Sequence, residues 1–178
     1  ALLTEEIETP DVTSIEALAT FLGVEARQTA KAVFFMATRH AEGAPDQEFP
    51  VFAVVRGDLD VNEVKLANAL GGVALRPMVD SEVTAHGIVA GYASAVGIRS
   101  DVHVVADHSI EAATNLIAGA NRAGWHLRNV NHGRDWQAAT IGDIASAQAG
   151  HTCTRCAAEG RDGHLRTDRG VEMGHVFR

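Results

Sequence analysis

The sequence predicts an α+β fold: a single domain with a mixed, curved β-sheet flanked by helices. Three observations carry that prediction. Short runs of β-branched and aromatic residues alternate irregularly with amphipathic helical patterns. Two of the strand-like runs are joined by a polar connection suited to a hairpin, and no regular βαβ repeat is present. A chain of 178 residues, 46% hydrophobic and 21% charged, has ordinary globular composition. At this size a domain buries roughly 70% of its unfolded surface, enough for one core.

The elements follow in chain order. Thr13 and Glu16 form a capping box ahead of Ile15, Leu18, Ala19 and Leu22, which share one helical face, and Gly23 ends that helix. A helical turn covers Ala26 to Ala30. The dense apolar run Ala32 to Ala37 is a buried strand, Arg39 to Glu48 a polar connection, and Val51 to Val55 the returning strand. Asp60 and Glu63 repeat the capping pattern before a helix through Val64, Ala67 and Leu70, stopped by Gly71-Gly72. Asp80 caps a short helix to His86, and Gly87 to Gly97 is a glycine- and alanine-rich loop. Strands are expected at Val102–Ala106, Leu116–Ala118 and Trp125–Val130, with a helical turn at Ser109–Thr114. Beyond Gly142 the composition turns polar, and strand signal returns only at Val171–Phe177.

Composition excludes several classes of function. A net charge of −8 is not the footprint of a protein that grips many phosphates, so any nucleic-acid substrate is held here at only a few of them. No apolar run approaches the ~20 residues of a membrane span. The N-terminus lacks the basic start and apolar stretch of a signal peptide. Two cysteines, Cys153 and Cys156, do not make a disulfide framework. A cytoplasmic chain with no membrane contact is the expectation. There is no phosphate-binding P-loop, no dinucleotide fingerprint, no His-Glu-x-x-His pair and no nucleophile elbow around Ser94. A hydrolase of this sequence would position water rather than form a covalent serine or cysteine intermediate.

The stretch Gly119-Ala120-Asn121-Arg122-Ala123-Gly124-Trp125-His126, continuing to Asn129-Val130-Asn131-His132-Gly133-Arg134-Asp135, is too polar for a simple core strand and suits the lining of a small polar pocket. It resembles the last part of the editing domain inserted into bacterial-type prolyl-tRNA synthetases, of the YbaK-type family. Other blocks resemble that family in the same order: Thr9-Pro10-Asp11-Val12-Thr13-Ser14-Ile15-Glu16, Phe21-Leu22-Gly23-Val24, Gln28-Thr29-Ala30-Lys31, Val55 through Leu66, and Ala106-Asp107. The resemblance implies residues 9–150 as an aminoacyl-tRNA deacylase domain. Residues 151–178 would be an extension resembling the strand that returns to a class II synthetase catalytic domain. The chain is then either a piece of a synthetase or a stand-alone relative.

What the resemblance implies chemically is hydrolysis of alanine mischarged onto the 3′ acceptor end of proline tRNA, with the class II catalytic domain as partner in cis or in trans and no cofactor. A methylene or two discriminates by only ~1–3 kcal/mol, so a second, smaller sieve is needed. Lys31 matches the family's functional lysine and would pair with a phosphate or ribose of the terminal adenosine; without the resemblance, a lysine snorkelling at a strand end is the commoner reading. His126 matches the histidine that shapes the pocket, by limiting side-chain size or by hydrogen-bonding as a neutral ring, against a satisfied core histidine. Asp107 would orient His126, attract an ammonium or hold water; the alternative is a cap ahead of Ser109.

Gly119 and Asn121 join the expected substrate contacts. So does the loop Ser94-Ala95-Val96-Gly97, aligned with the family's Gly-Pro-x-Gly loop. There the chain departs from the pattern: Ser94 and Ala95 stand where glycine and proline are expected, and a positive φ at Ser94 would cost ~1 kcal/mol or more. The departure opens two other readings, a deacylase shifted toward serine or another small residue, and a non-catalytic insert that binds the tRNA end. Cys153 and Cys156, with His151, His164 and His175, invite zinc, but a structural site needs four ligands; a solvated turn without metal is the reading taken.

Overall fold

The computed structural model describes residues 2–40, 43 and 45–170. The chain divides into two compact units, Ala1–Ala145 and Ser146–Arg178, where the sequence reading places the boundary after Gly150. The first unit contains β1 (Glu5–Glu8), α1 (Ile15–Leu22), a 3-10 turn (Ala26–Gln28), β2 (Ala30–Arg39), β3 (Gln47–Arg56) and α2 (Glu63–Ala69). It continues with β4 (Ala74–Pro77), α3 (Asp80–Ala85), β5 (His103–Asp107), α4 (His108–Glu111), β6 (Leu116–Gly119), β7 (Trp125–Val130) and β8 (Thr140–Gly142). The second unit contains α5 (Thr154–Ala158). The strand expected at Val171–Phe177 lies outside the described residues.

The α+β class holds. A five-stranded sheet runs in the order β4-β2-β3-β5-β8. It is mixed, because β2 is antiparallel to β3 and β4 while β5 is parallel to β3 and β8. Side-chain alternation along β2 sends its two rows to two cores. Val33, Phe35 and Ala37 join Val51, Ala53 and Val55 of β3, Leu66 of α2 and Leu70 at its C-cap. Ala30, Ala32 and Phe34 face the other way, with Phe52, Val54, Ala106, Ile110 and Leu116; the Phe34 and Phe52 rings lie 5.2 Å apart.

A three-stranded antiparallel sheet, β1-β7-β6, completes the first unit. A single bridge between Thr29 and Ile117 links it to the entry of β2. Helix α1 packs on β6 through Val12, Leu18 and Ile117.

Several local expectations shift. The N-cap of α1 is Ser14, whose Oγ accepts the Ala17 N–H at 3.2 Å, so the cap lies one residue past Thr13. Asn62, not Asp60, caps α2 by accepting the Lys65 N–H. Helix α3 begins after Val79, whose N–H is taken by the Glu82 carboxylate, so Asp80 is its first residue rather than its cap. Strands β1, β4 and β8 carry no apolar alternation and escape a hydrophobic-pattern reading. The Cys153–Cys156 segment is not a turn but the start of α5, with Cys153 as N-cap.

Candidate active site

One cavity of about 260 Å³ opens where α1, the start of β2, the Gly91–Ala93 loop and the β6–β7 pair meet. Its wall includes Thr13 and the N-cap Ser14, Ile15 and Glu16 from the first turn of α1, Ala30, Lys31, Ala32 and Phe34 from β2, then Gly91, Ala93, Gly119 and His126. Lys31 and His126, distant in sequence, are thus brought to one hollow. The small residues Ala30, Ala32, Ala93 and Gly119 make room for it.

His126 sits on the middle strand of the three-stranded sheet, in register with Ile7 on one side and Gly119 on the other. It is 4% exposed. Its Nδ1 shares a 2.7 Å hydrogen bond with the fully buried Thr9 hydroxyl, and the Tyr92 ring lies 5.3 Å away. Burial pushes its pKa down to about 4, so the ring is neutral at physiological pH. The unfolded chain, titrating near 6.5, binds the proton first. The stabilisation by the neutral ring is therefore complete above about pH 6.5 and is lost as pH falls toward the folded value, by about 3 kcal/mol at most. Urea unfolding at about pH 7.5 and pH 5 should show wild type losing more stability than His126→Gln on acidification; equal losses contradict a buried neutral imidazole.

Lys31 extends its Nζ to Asp60 Oδ1 at 2.5 Å, and its side chain is 33% exposed. Asp60 is itself well exposed, so the pair is screened and contributes little to stability. Lys31 remains a solvent-accessible cation on the cavity wall, available to exchange a carboxylate for a substrate anion.

Gly119 is fixed by close approach rather than by φ. A Cβ there would stand 2.1 Å from the Tyr92 carbonyl oxygen and 2.4 Å from that of Ala93. The neighbouring Asn121, at φ +51°, accepts the Ser94 N–H and donates to the Ser94 and Val96 carbonyls. Asn121 therefore clamps the Gly91–Gly97 loop and is not among the cavity residues.

The remaining expected contacts lie elsewhere. Ser94 is buried, and its Oγ accepts the Val96 N–H. It is absent from the positive-φ residues, so the strain that its departure from glycine would have carried does not arise. Ser94 and Ala95 border a hole of about 20 Å³ that adjoins the cavity at Ala30, Ala32 and Ala93, and Gly97 borders an outer groove with Arg99 and Trp136; Val96 borders neither that hole nor the main cavity. Asp107 is also away from the cavity. Its Oδ1 accepts the Ser109 N–H at 2.8 Å and its Oδ2 the Ile144 and Ala145 N–H groups at 2.9 and 3.0 Å. Burial alone would raise its pKa, but the Ser109 hydroxyl and these amides outweigh burial and hold it below the usual carboxylate range. It is the cap ahead of Ser109, not a partner of His126.

Sequence reasoning missed Thr9, Tyr92 and the α1 first turn as parts of the site. Thr9 had no signal beyond its place in a resembling block, and Glu16 was absorbed into a capping pattern. In the second unit, the Cys156 backbone N–H and thiol hold the Cys153 pKa below the usual thiol range. Among the described residues no three His, Cys, Asp or Glu side chains are grouped to hold a metal.

A family model for the aminoacyl-tRNA editing domain matches residues 9–135, which include every residue of the cavity wall. The chain belongs to the aminoacyl-tRNA editing domain family. Among its relatives is the proline–tRNA ligase of Salinispora tropica, 51% identical over 97% of this chain and 28% of that protein. The proline–tRNA ligase of Dehalococcoides mccartyi strain 195 is 47% identical over 98% of this chain and again 28% of the relative. The editing domain and its extension thus span a little over a quarter of the length of these ligases. Among solved structures, one described as a candidate trans-editing enzyme for prolyl tRNA synthetase superposes with a TM-score of 0.62 at 18% identity, covering 81% of this chain and 87% of that one. A hypothetical protein matches with a TM-score of 0.61 at 16% identity, over 82% of this chain and 93% of that one. These likenesses establish the shared fold of the editing domain. Among its described residues, no helix is long and apolar enough to cross a membrane.

Proposed function

We propose that this editing domain hydrolyses the ester of alanine mischarged onto the 3′ end of proline tRNA, inside the Lys31–His126 cavity. The observation that carries the proposal is the presence of both side chains on one wall of about 260 Å³, near the lower limit of small-ligand pockets of ~300 Å³. That volume suits an aminoacyl ribose end and leaves the rest of a tRNA outside. A net charge of −8 fits the same division of labour, in which one or two phosphates are held here and the synthetase catalytic domain, in cis or in trans, holds the rest.

Water is the nucleophile in this scheme. Its oxygen attacks the ester carbonyl carbon, a tetrahedral oxyanion forms, and the ribose 3′ oxygen leaves with a proton. An aminoacyl ester is already activated, so orientation and charge stabilisation suffice. Lys31 supplies positive charge to the terminal adenosine or to the developing oxyanion. His126, neutral and braced by Thr9, limits the size of the side chain admitted and offers a ring nitrogen for hydrogen bonding. The Ser14 hydroxyl is committed to its cap, which leaves it a poor covalent nucleophile.

Alanine is favoured over serine because neither Ser94 nor Ala95 is on the cavity wall; both border the small hole that adjoins it at Ala30, Ala32 and Ala93. Release of amino acid from alanyl-, seryl- and prolyl-tRNA(Pro) by the purified chain tests this, at high protein and low salt. The expected order is alanyl well above seryl, with prolyl at the background rate. Seryl release exceeding alanyl would move the assignment to a shifted specificity, and release from none would favour a binding insert.

A further inference from the structure

We infer that Glu16 is the receptor for the substrate's α-ammonium group, an assignment that rests on the deacylase reading. The cavity wall carries two formally charged side chains, Glu16 and Lys31, with His126 neutral between the same elements. Lys31 already pairs with Asp60. Glu16 forms no ion pair among the described residues; its own backbone N–H and the Ser14 hydroxyl donate to it, and Lys31 adds a weaker attraction. Those bonds hold its carboxyl below the usual range, so it is ionised at neutral pH.

The wall leads to the same group: among the described residues Glu16 is its one carboxylate, and an aminoacyl ester brings one ammonium. Lys31 repels that ammonium, and Asp60 is not on the cavity wall. Glu16 stands on the first turn of α1 between Ile15 and Leu18, two apolar residues of the same wall. A substrate whose ammonium meets Glu16 has its small side chain next to that apolar surface. Free amino acids share the ammonium, but the ester is distinguished by the adenosine that Lys31 meets. Glu16 would thus select α-amino esters over the corresponding α-hydroxy esters, a discrimination that pocket size cannot make.

The test compares alanyl-tRNA(Pro) with lactyl-tRNA(Pro), in which a hydroxyl replaces the ammonium, using wild type and Glu16→Gln. Thermal melting confirms that the variant, an exposed isosteric change, is folded. A charge-assisted hydrogen bond corresponds to about tenfold. The expected result is that kcat/KM for the alanyl ester falls by about tenfold in Glu16→Gln while the lactyl ester changes by less than about twofold, removing the wild-type preference. An equal fall on both esters, or no fall on the alanyl ester, overturns the assignment while leaving the deacylase reading in place. If wild type releases neither acid, the deacylase reading itself is contradicted, and the Glu16 assignment falls with it.

Discussion

Gly119→Ala is expected to destabilise the chain by about 3 kcal/mol or more and to abolish ester release, although it adds a single methyl group. The added carbon would sit 2.1–2.4 Å from backbone atoms of Tyr92 and Ala93, where no side-chain rotation relieves the clash. The loop is held in place by the Asn121 side chain and by the Asn121 N–H bonded to the Tyr92 carbonyl at 2.8 Å. Retreat of the loop breaks those bonds and moves Gly91 and Ala93, which form part of the cavity wall. Urea unfolding and alanyl ester release check the two effects together. A Gly119→Ala protein of wild-type stability and rate would show that the close contact is not required.

Asp107→Ala is expected to produce the other large loss, also about 3 kcal/mol, with a different signature. Removing the carboxylate strands the N–H groups of Ser109, Ile144 and Ala145, and unties the end of β5 from the segment after β8. Because Asp107 lies outside the cavity, ester release per folded molecule should remain near wild type at a temperature where the variant is still folded. Activity measured against folded fraction separates the cases. A loss of rate by orders of magnitude in fully folded Asp107→Ala would return the residue to a catalytic role.

How much of this was legible in the sequence depends on what each feature required. The long strands β2 and β3 announce themselves through runs such as Val33-Phe34-Phe35-Met36, half-buried or buried on both rows. Strand β1, Glu-Glu-Ile-Glu, is held by pairing with β7 rather than by burial, and charged edge strands leave no hydrophobic trace. Lys31 and His126 were found through the resemblance of whole blocks. Their meeting in one hollow depends on the β1-β7-β6 sheet lying against the entry of β2, which no local pattern encodes. Asp107 shows the opposite outcome. A block resemblance nominated it for chemistry, while its position two residues ahead of Ser109 carried the simpler signal of a cap. Ser94 was weighed as strained because of the residue type expected there; the loop instead places its positive φ values at Gly91 and Gly97.

The central claim is that one cavity, with Lys31 and His126 on its wall, frees alanine from tRNA. The most direct measurement is the rate of alanine release from alanyl-tRNA(Pro) by wild type, Lys31→Ala, His126→Ala and the double variant. The account predicts that Lys31→Ala lowers kcat/KM by at least about a hundredfold, that His126→Ala slows alanyl release less while admitting the prolyl ester, and that the double variant is no worse than about the Lys31 change alone, as expected for groups acting on one bound substrate. Wild-type rates in both single variants, with measurable release in wild type, would place the chemistry elsewhere in the fold and contradict the account.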